Sequence, residues 1–532
     1  EQVQSAGTCT VIEPALGGSF VEGMVGAPRF LNPLLSDANP VDRELVNLIF
    51  DGLVRYDDNG RLTPALARAW DVGEDGLSVT FQLRDDVTWH DGAPLTAADV
   101  AFTYGLLQQE GFPDAALRAL WQTVTITVVD PQTVQFVLQE PYAPFLEATT
   151  RGILPAHLLG GVTAAELAAQ PFNLAPVGTG PFVVPPGQAP AQTGQLRLLP
   201  SPARWPQGIK LDDVVMRFFP DAADMAAAFA AGEIHAIRSV PAEVLPTLLQ
   251  AADVRLISSP APRYTALWFD MGETAVSELA VRQALARALD RARLVDEVLQ
   301  GQGVPLDGPF LPGSWAYRPD LLTAYAPDTA AAVALLESAG WLLPEGQAVR
   351  QRDEQPLALQ LLFLETAPQR ALAEGIRDAW QLVGVAVQLN GVPTPEALLA
   401  ALAERAYDVA LLDVTPPRDP DQYDFWSQEA MIDGQNYAGW NDRRASEALE
   451  RARQVWPVAE RRPYYETFLR QFDAALPALV LYQHVDTYAV RGDVNDVEIG
   501  RIDQPRDRFE SLGSWFLGYR EVSVLCLPTE PG

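Results

Sequence analysis

The sequence predicts an α/β fold in two lobes, and three observations carry the prediction. Residues 213–219 read as a strand, the Ala-rich residues 224–231 as a helix closed by Gly232, and Ile234-His235-Ala236 as a second short strand. The alternation returns far along the chain, with a near-continuous apolar run at 357–364, a helical pattern at 371–383 and strands at 385–389 and 407–414. Such alternation lays helices over a mostly parallel sheet, and the apolar run fits a strand covered on both faces. The 532 residues, at about 150 per domain, leave room for about three folding units.

Taken in order, residues 17–25 are Gly-bounded and alternating, and read as a first strand. Residues 42–50 place Leu45 and Ile49 at helical spacing. Residues 77–83 alternate Val79, Phe81 and Leu83 against Ser78, Thr80 and Gln82, a half-buried strand. The turn Trp89-His90-Asp91-Gly92 follows, with Gly92 free to take positive φ. Thr96 then caps a helix, and Asp99 at its third position reaches back to the free N–H groups. Residues 124–129 and 133–138 flank Asp130-Pro131-Gln132 as a hairpin. In Val177-Gly178-Thr179-Gly180-Pro181-Phe182 the glycines let the backbone approach another group closely. No Lys-Ser/Thr follows to make that loop a phosphate cradle. The Leu and Ala spacing of 281–291 fits one amphipathic helix packed on a sheet. Asp328 caps a helix at 329–339, with Gly340 just past its end. Residues 443–456 and 459–474 are helical, and 478–484, 485–490 and 514–517 are extended.

Composition narrows the function. There are 69 Asp+Glu against 38 Lys+Arg, a net charge of −31. Such a surface repels nucleic acid and anionic lipid and keeps a chain in solution. No apolar run approaches the roughly 18 residues of a membrane helix. Lys210 is the only lysine. Cys9 and Cys526 stand near opposite ends. A disulfide between them suits an oxidising compartment; lipidation of Cys9 is the alternative, although Ala6-Gly7-Thr8-Cys9 makes a poor lipid-attachment motif. The first residues carry no basic-apolar leader, so a targeting segment is expected to precede this numbering.

Several of these blocks together resemble the family 5 extracellular solute-binding proteins, the dipeptide, oligopeptide and nickel receptors of ABC importers. They are Asp75-Gly76, Leu83-Arg84, Trp89-His90-Asp91-Gly92, Pro94, Thr96-Ala97 and Asp99-Val100, with Leu31-Asn32-Pro33, Pro64-Ala65-Leu66-Ala67, Leu154-Pro155, Val281-Arg282-Gln283-Ala284-Leu285 and Gly434 to Asn441. The resemblance implies a two-lobed periplasmic-binding-protein type II (cluster C) fold with an extra subdomain. Lobe I is then expected at 13–57, 175–265 and 483–526, its extra subdomain at 58–174, and lobe II at 266–482. Residues 254–269 and 478–484 would be the strands that cross between lobes.

The resemblance also implies a ligand site. Phe30 lies in the Leu-Asn-Pro segment, Thr179 in a loop near the interlobe cleft, and Tyr264 and Trp268 where relatives face the ligand with an aromatic ring. Trp426, Asn436 and Tyr437 fall in cleft-lining segments. Peptide-binding relatives carry an aspartate four residues before an Asp-Pro proline, pairing the peptide's amino terminus. Counting back from Pro420 gives Pro416, which cannot pair with an ammonium. Asp413, Asp419 and Asp421 are the nearby substitutes. The four histidines have no metal-ligand spacing, and no GxSxG or catalytic cysteine context is present. The expectation is therefore a non-enzymatic, monomeric extracytoplasmic receptor without cofactor. Its partners would be membrane permease subunits with their ATPase, and its ligand a peptide before a sugar or metal chelate. A sensing or chaperone-like module of the same fold is the second reading.

Overall fold

Two long strands, Val254–Phe269 and Ala478–Arg491, run antiparallel through the middle of an eleven-stranded sheet. The computed structural model describes residues 7–57, 60–188, 190–205, 208–272, 274–500, 502 and 504–526, with the side chains of 7–9, 191 and 524–526 left aside. The two strands pair from Val254↔Arg491 to Pro260↔Val485, and again from Tyr264↔Gln483 to Trp268↔Ala478. Between Pro260 and Tyr264 the register shifts. Pro260 and Pro262 have no N–H to give the ladder, so this is where the pairing breaks.

On one side of this crossing the sheet continues through Val409–Val414, Ala358–Leu364 and Ala386–Val392. On the other it continues through Ala236–Ile237, Ser19–Val25, Asp213–Phe219, Gln195–Pro200 and Phe182–Val183. The first half belongs to lobe II and the second to lobe I. Ala358–Leu364 and Ala386–Val392 are parallel and joined by the helix Ala367–Gln381, because parallel neighbours need a crossover.

Lobe II is a covered sheet, and the period-two alternation of one strand shows how. Tyr264, Ala266 and Trp268 enter a core with Trp426, Trp440, Phe468 and Phe472. Leu267 and Phe269, pointing oppositely, enter a second core with Leu285, Leu361, Ile376 and Trp380. Leu361 and Leu362 enter the cores on opposite faces, which is why 357–364 reads as a near-continuous apolar run, while Ala358 and Gln360 at its start are exposed.

The extra subdomain is an antiparallel sheet ordered Ala67–Val72, Ser78–Leu83, Thr133–Val137, Thr125–Asp130. On its buried face Phe136 meets Phe81 and Tyr104 edge-on and Tyr104 stacks on Trp121, in one core with lobe I. The helix Ala97–Leu107 starts with the expected capping box of Thr96 and Asp99. Asp328 caps Thr329–Ser338, also as expected. The stretch 281–291 is not one helix, however. Leu279–Arg287 ends, and Asp290 accepts from the Arg293 amide to cap a new helix, Arg291–Leu299. The chain ends meet as strands Gly7–Pro14 and Tyr519–Cys526, with Cys9 opposite Val524 and Cys526 opposite Gly7. The expected Cys9–Cys526 disulfide falls on side chains outside the described residues. Among the described residues, no helix is long and apolar enough to cross a membrane.

Candidate functional site

The lobes face each other across a cleft with two adjoining cavities of about 520 and 550 Å³. They share Arg43, Asn47, Pro262, Thr415 and Pro505. The lobe I wall is organised by the helix Pro40–Ile49. Asn39 caps it by accepting from the Val41 amide, and Pro40 is pre-set for the first turn. Val41, Leu45, Leu48 and Ile49 bury one face in the lobe I core. Arg43, Glu44 and Asn47, on the other face, line the cleft.

The end of that helix is fixed by the Gly-Thr-Gly loop. The Gly180 amide donates to the Ile49 carbonyl at 2.8 Å. A Cβ on Gly178 would lie 1.9 Å from the same oxygen. His90 locks the loop from behind: the Gly178 amide donates to Nδ1 at 3.2 Å, and Nε2 sits 3.0 Å from the Gly180 carbonyl. Those partners select the Nε2–H tautomer, and burial holds the imidazole below its ordinary pKa, hence neutral. The Trp-His-Asp-Gly and Gly-Thr-Gly motifs therefore meet in space, and together they set the cleft wall without lining its cavities.

Charge in the cleft is dense and largely paired. Arg151 meets Asp37 at 2.7 Å, Arg238 meets Glu44 at 2.8 Å, Arg263 meets Asp486 at 2.8 Å, and Arg506 meets Asp51. Burial pushes the Glu44 and Asp51 carboxyls up, but their arginine partners outweigh it and hold both below the usual range. Arg418 lies over the Tyr56 ring at 5.2 Å. Counting Arg43, Arg55 and Arg418, seven arginines line the two cavities against five carboxylates among the described residues.

The lobes also touch. The fifth carboxylate, Glu147 of the extra subdomain, accepts from the Arg418 and Asp419 amides of lobe II, each at 2.8 Å. Nearby, Trp456 Nε1 donates to the Gly76 carbonyl at 3.0 Å, and the Ala143 amide to the Arg453 carbonyl at 2.7 Å. These contacts bridge the two lobes beside the cavities.

None of the ten residues expected at the ligand lines these two cavities. Trp268 and Trp426 stack at 4.2 Å and 4° inside lobe II, both 1 % exposed. Tyr437 meets Trp268 edge-on at 5.8 Å. Tyr264 is fully buried. Asn436 ties its own loop, donating to the Ser427 and Trp440 carbonyls and accepting from the Trp440 amide. Asp419 is held by Arg461 at 2.6 Å and Asp421 by Arg453 at 2.8 Å, which pins the loop carrying Pro416. Asp413 accepts from Thr265 and lies 3.3 Å from His484. Phe30 sits beneath the Arg29 guanidinium, its amide donating to Asp42. Thr179 donates to Asp51 at 3.2 Å and lines a third cavity of about 490 Å³ in lobe I, which shares Asp51, Arg55, Ala65 and Arg506 with the second cleft cavity. The residues that line the cleft instead, among them Arg43, Asn47, Asp51, Arg55, Glu147 and Thr415, lie outside the set expected from the sequence. No group of His, Cys, Asp and Glu able to hold a metal ion occurs among the described residues.

Two lobes joined by a pair of crossing strands around a charged cleft define the class of two-lobed solute-binding proteins. Residues 61–431 match the model of the bacterial extracellular solute-binding proteins, family 5 Middle, and the chain belongs to that family. The oligopeptide-binding protein AppA of Bacillus subtilis is 26 % identical over 484 residues, covering 88 % of this chain and 87 % of that protein. The nickel-binding periplasmic protein of Escherichia coli is 28 % identical over 371 residues, 68 % of each. The crystal structure of the ABC transporter substrate-binding protein CtaP of Listeria monocytogenes superposes with a TM-score of 0.80. It has 23 % identity and covers 94 % of this chain and 99 % of that one.

Proposed function

We propose that this protein is a non-enzymatic extracytoplasmic receptor. It closes two hinged lobes over one small solute and delivers it to the permease and ATPase of an ABC importer. The observation that carries the reading is the pair of cavities walled by both lobes, with Glu147 bonded across them to the Arg418 and Asp419 amides. A solute that touches both walls binds the closed form better than the open one, and that difference drives closure. Residues 260–263, where the crossing ladder breaks, act as the hinge. The division proposed is the one expected from the sequence, lobe I at 13–57, 175–265 and 483–526, its extra subdomain at 58–174, and lobe II at 266–482, although Tyr264, just past the break, packs in the lobe II core. The relatives named for oligopeptide and nickel support a small polar solute.

Thermal-shift screening of the purified chain against peptides, sugars, sugar acids and metal chelates tests this. A solute at 100 times its Kd stabilises the protein by about 2.7 kcal/mol. Thr415 is exposed on the lobe II wall and lines both cavities. Thr415→Trp should fill the cleft and abolish the shift while the ligand-free melting temperature holds. A shift that survives this substitution, or no shift with any solute, contradicts the reading.

A further inference from the structure

The cleft of this strongly acidic protein carries an excess of positive charge. The chain as a whole holds −31, so its far field repels anions. Where the lobes meet, arginines nonetheless outnumber carboxylates. Four of those arginines are neutralised by one carboxylate apiece. Arg43 and Arg55 are not. Arg43 projects from the polar face of the helix Pro40–Ile49, lines both cavities and, among the described residues, donates only to the Asp37 backbone carbonyl. Arg55 is exposed on the same wall and forms no side-chain hydrogen bond or ion pair among the described residues. Its charge reaches Asp51 only through space.

The carboxylates tell the converse story. Asp37, Glu44, Asp51 and Asp486 each hold an arginine, and Glu147 holds two backbone amides. A ligand ammonium has no unengaged acid to meet among the described lining residues. The facing stretch of lobe II, Thr415 to Arg418, adds no acid, and Arg418 brings one more guanidinium. A guanidinium, by contrast, is a rigid fork of donors matched to a carboxylate.

We propose that the solute is an organic anion, gripped through a carboxylate by Arg43 and Arg55 and needing no free ammonium. This rests on the receptor reading above and narrows its substrate class. Arg43 and Arg55 would be its specificity-determining residues.

Titration calorimetry on the full chain with matched solutes tests the proposal. The probes are a tripeptide, its N-acetyl form, its C-terminal amide and its acetylated amide, with a sugar acid beside the parent sugar. Forms that keep the carboxylate should bind at least about ten-fold tighter than their amides or neutral parents, a difference of about 1.4 kcal/mol. N-acetylation should leave affinity unchanged. Arg55→Gln and Arg43→Gln should each weaken the anion at least about ten-fold, the energy of about one charge-assisted contact. Arg55→Lys, keeping the charge, should recover part of the loss. The ligand-free melting temperature reports whether each variant folds.

Equal binding of the amides, a requirement for the free amine, or unchanged affinity in folded Arg43 and Arg55 variants overturns the proposal. If neutral or cationic solutes alone bind, and Thr415→Trp blocks them, the anion proposal falls while the receptor reading stands. If no solute binds, both fall.

Discussion

The Glu147 carboxylate accepts the Arg418 backbone amide at 2.8 Å, joining the extra subdomain of lobe I to lobe II. Its other oxygen accepts the Asp419 amide, also at 2.8 Å. Burial pushes the Glu147 carboxyl up to about 7 despite those two amides. The nearby Asp419 carboxylate adds to the push, and the Arg418 guanidinium opposes it. Tyr56 is the other titratable group facing this carboxyl. Closure therefore favours the protonated acid, relative to the usual 4.5 of a solvated glutamate.

The sign of the pH dependence follows. A carboxyl whose pKa rises on closure supports the closed form fully below the solvated pKa, and loses that support as pH climbs through the raised one. Affinity for a solute that does not itself titrate should fall between pH 4.5 and about 7 and level off above. Glu147→Gln should flatten the slope. Calorimetry across that window measures it, and an affinity that rises with pH in the unmodified protein refutes the assignment.

Gly178 has no room for a side chain. Its Cβ would overlap the Ile49 carbonyl oxygen, a backbone atom that no rotamer change can move. Gly178→Ala should cost at least about 2 kcal/mol in urea unfolding and weaken solute binding, because Asn47 to Asp51 shift with Ile49. Gly92 has φ +89° but nothing within 4 Å of its Cβ position. Gly92→Ala should cost only about 1 kcal/mol, from backbone strain.

Trp268 and Trp426 are stacked core residues, so their loss should read as instability. Trp268→Ala should cost about 3–5 kcal/mol. Trp268→Phe should cost less, and the folded fraction of either variant should keep the parent's affinity. Urea midpoints with calorimetry on the same samples separate the two effects. A large affinity loss in a stable Trp268→Phe protein would place this ring at the ligand after all.

Arg508 is wholly buried and pairs with Glu22 and Glu44, each at 2.6 Å. Tyr488 donates to Glu22 at 2.8 Å. Glu22 lies on the strand Ser19–Val25, so the pair ties the returning C-terminal segment to the lobe I sheet. Arg508→Met strands a buried carboxylate and should cost about 3–5 kcal/mol. Adding Glu22→Gln to it should recover part of that loss, as measured by denaturant unfolding.

The legible parts of the sequence were those in which local chemistry and tertiary role agree. Thr96 and Asp99 are a capping box in sequence and in space. The run ending at Leu364 sends Leu361 and Leu362 into cores on opposite faces of the sheet, and residues 254–269 form one long strand in the middle of that sheet. Asp290 was misread because a helix ending in Asp-Arg and a helix beginning with an Asp cap look alike until the Arg293 amide finds its acceptor. The cleft itself was hidden. Arg43, Glu44 and Asn47 form the polar stripe of an amphipathic helix, and nothing local separates a stripe facing another lobe from one facing water. Trp268 and Trp426 show the converse, since a core aromatic and a ligand-facing one leave the same mark in sequence, and both rings are buried against each other. The helical spacing of Leu45 and Ile49 already put Arg43 and Asn47 on the opposite face, and that was the available signal.

Solution X-ray scattering of the full chain, alone and saturated with its tightest-binding solute, tests the central claim most directly. Closure of two lobes about residues 260–263 predicts a smaller radius of gyration with the solute than without it, and no such change in Thr415→Trp. Identical scattering from the free and saturated protein, with tight binding confirmed on the same samples, would contradict it.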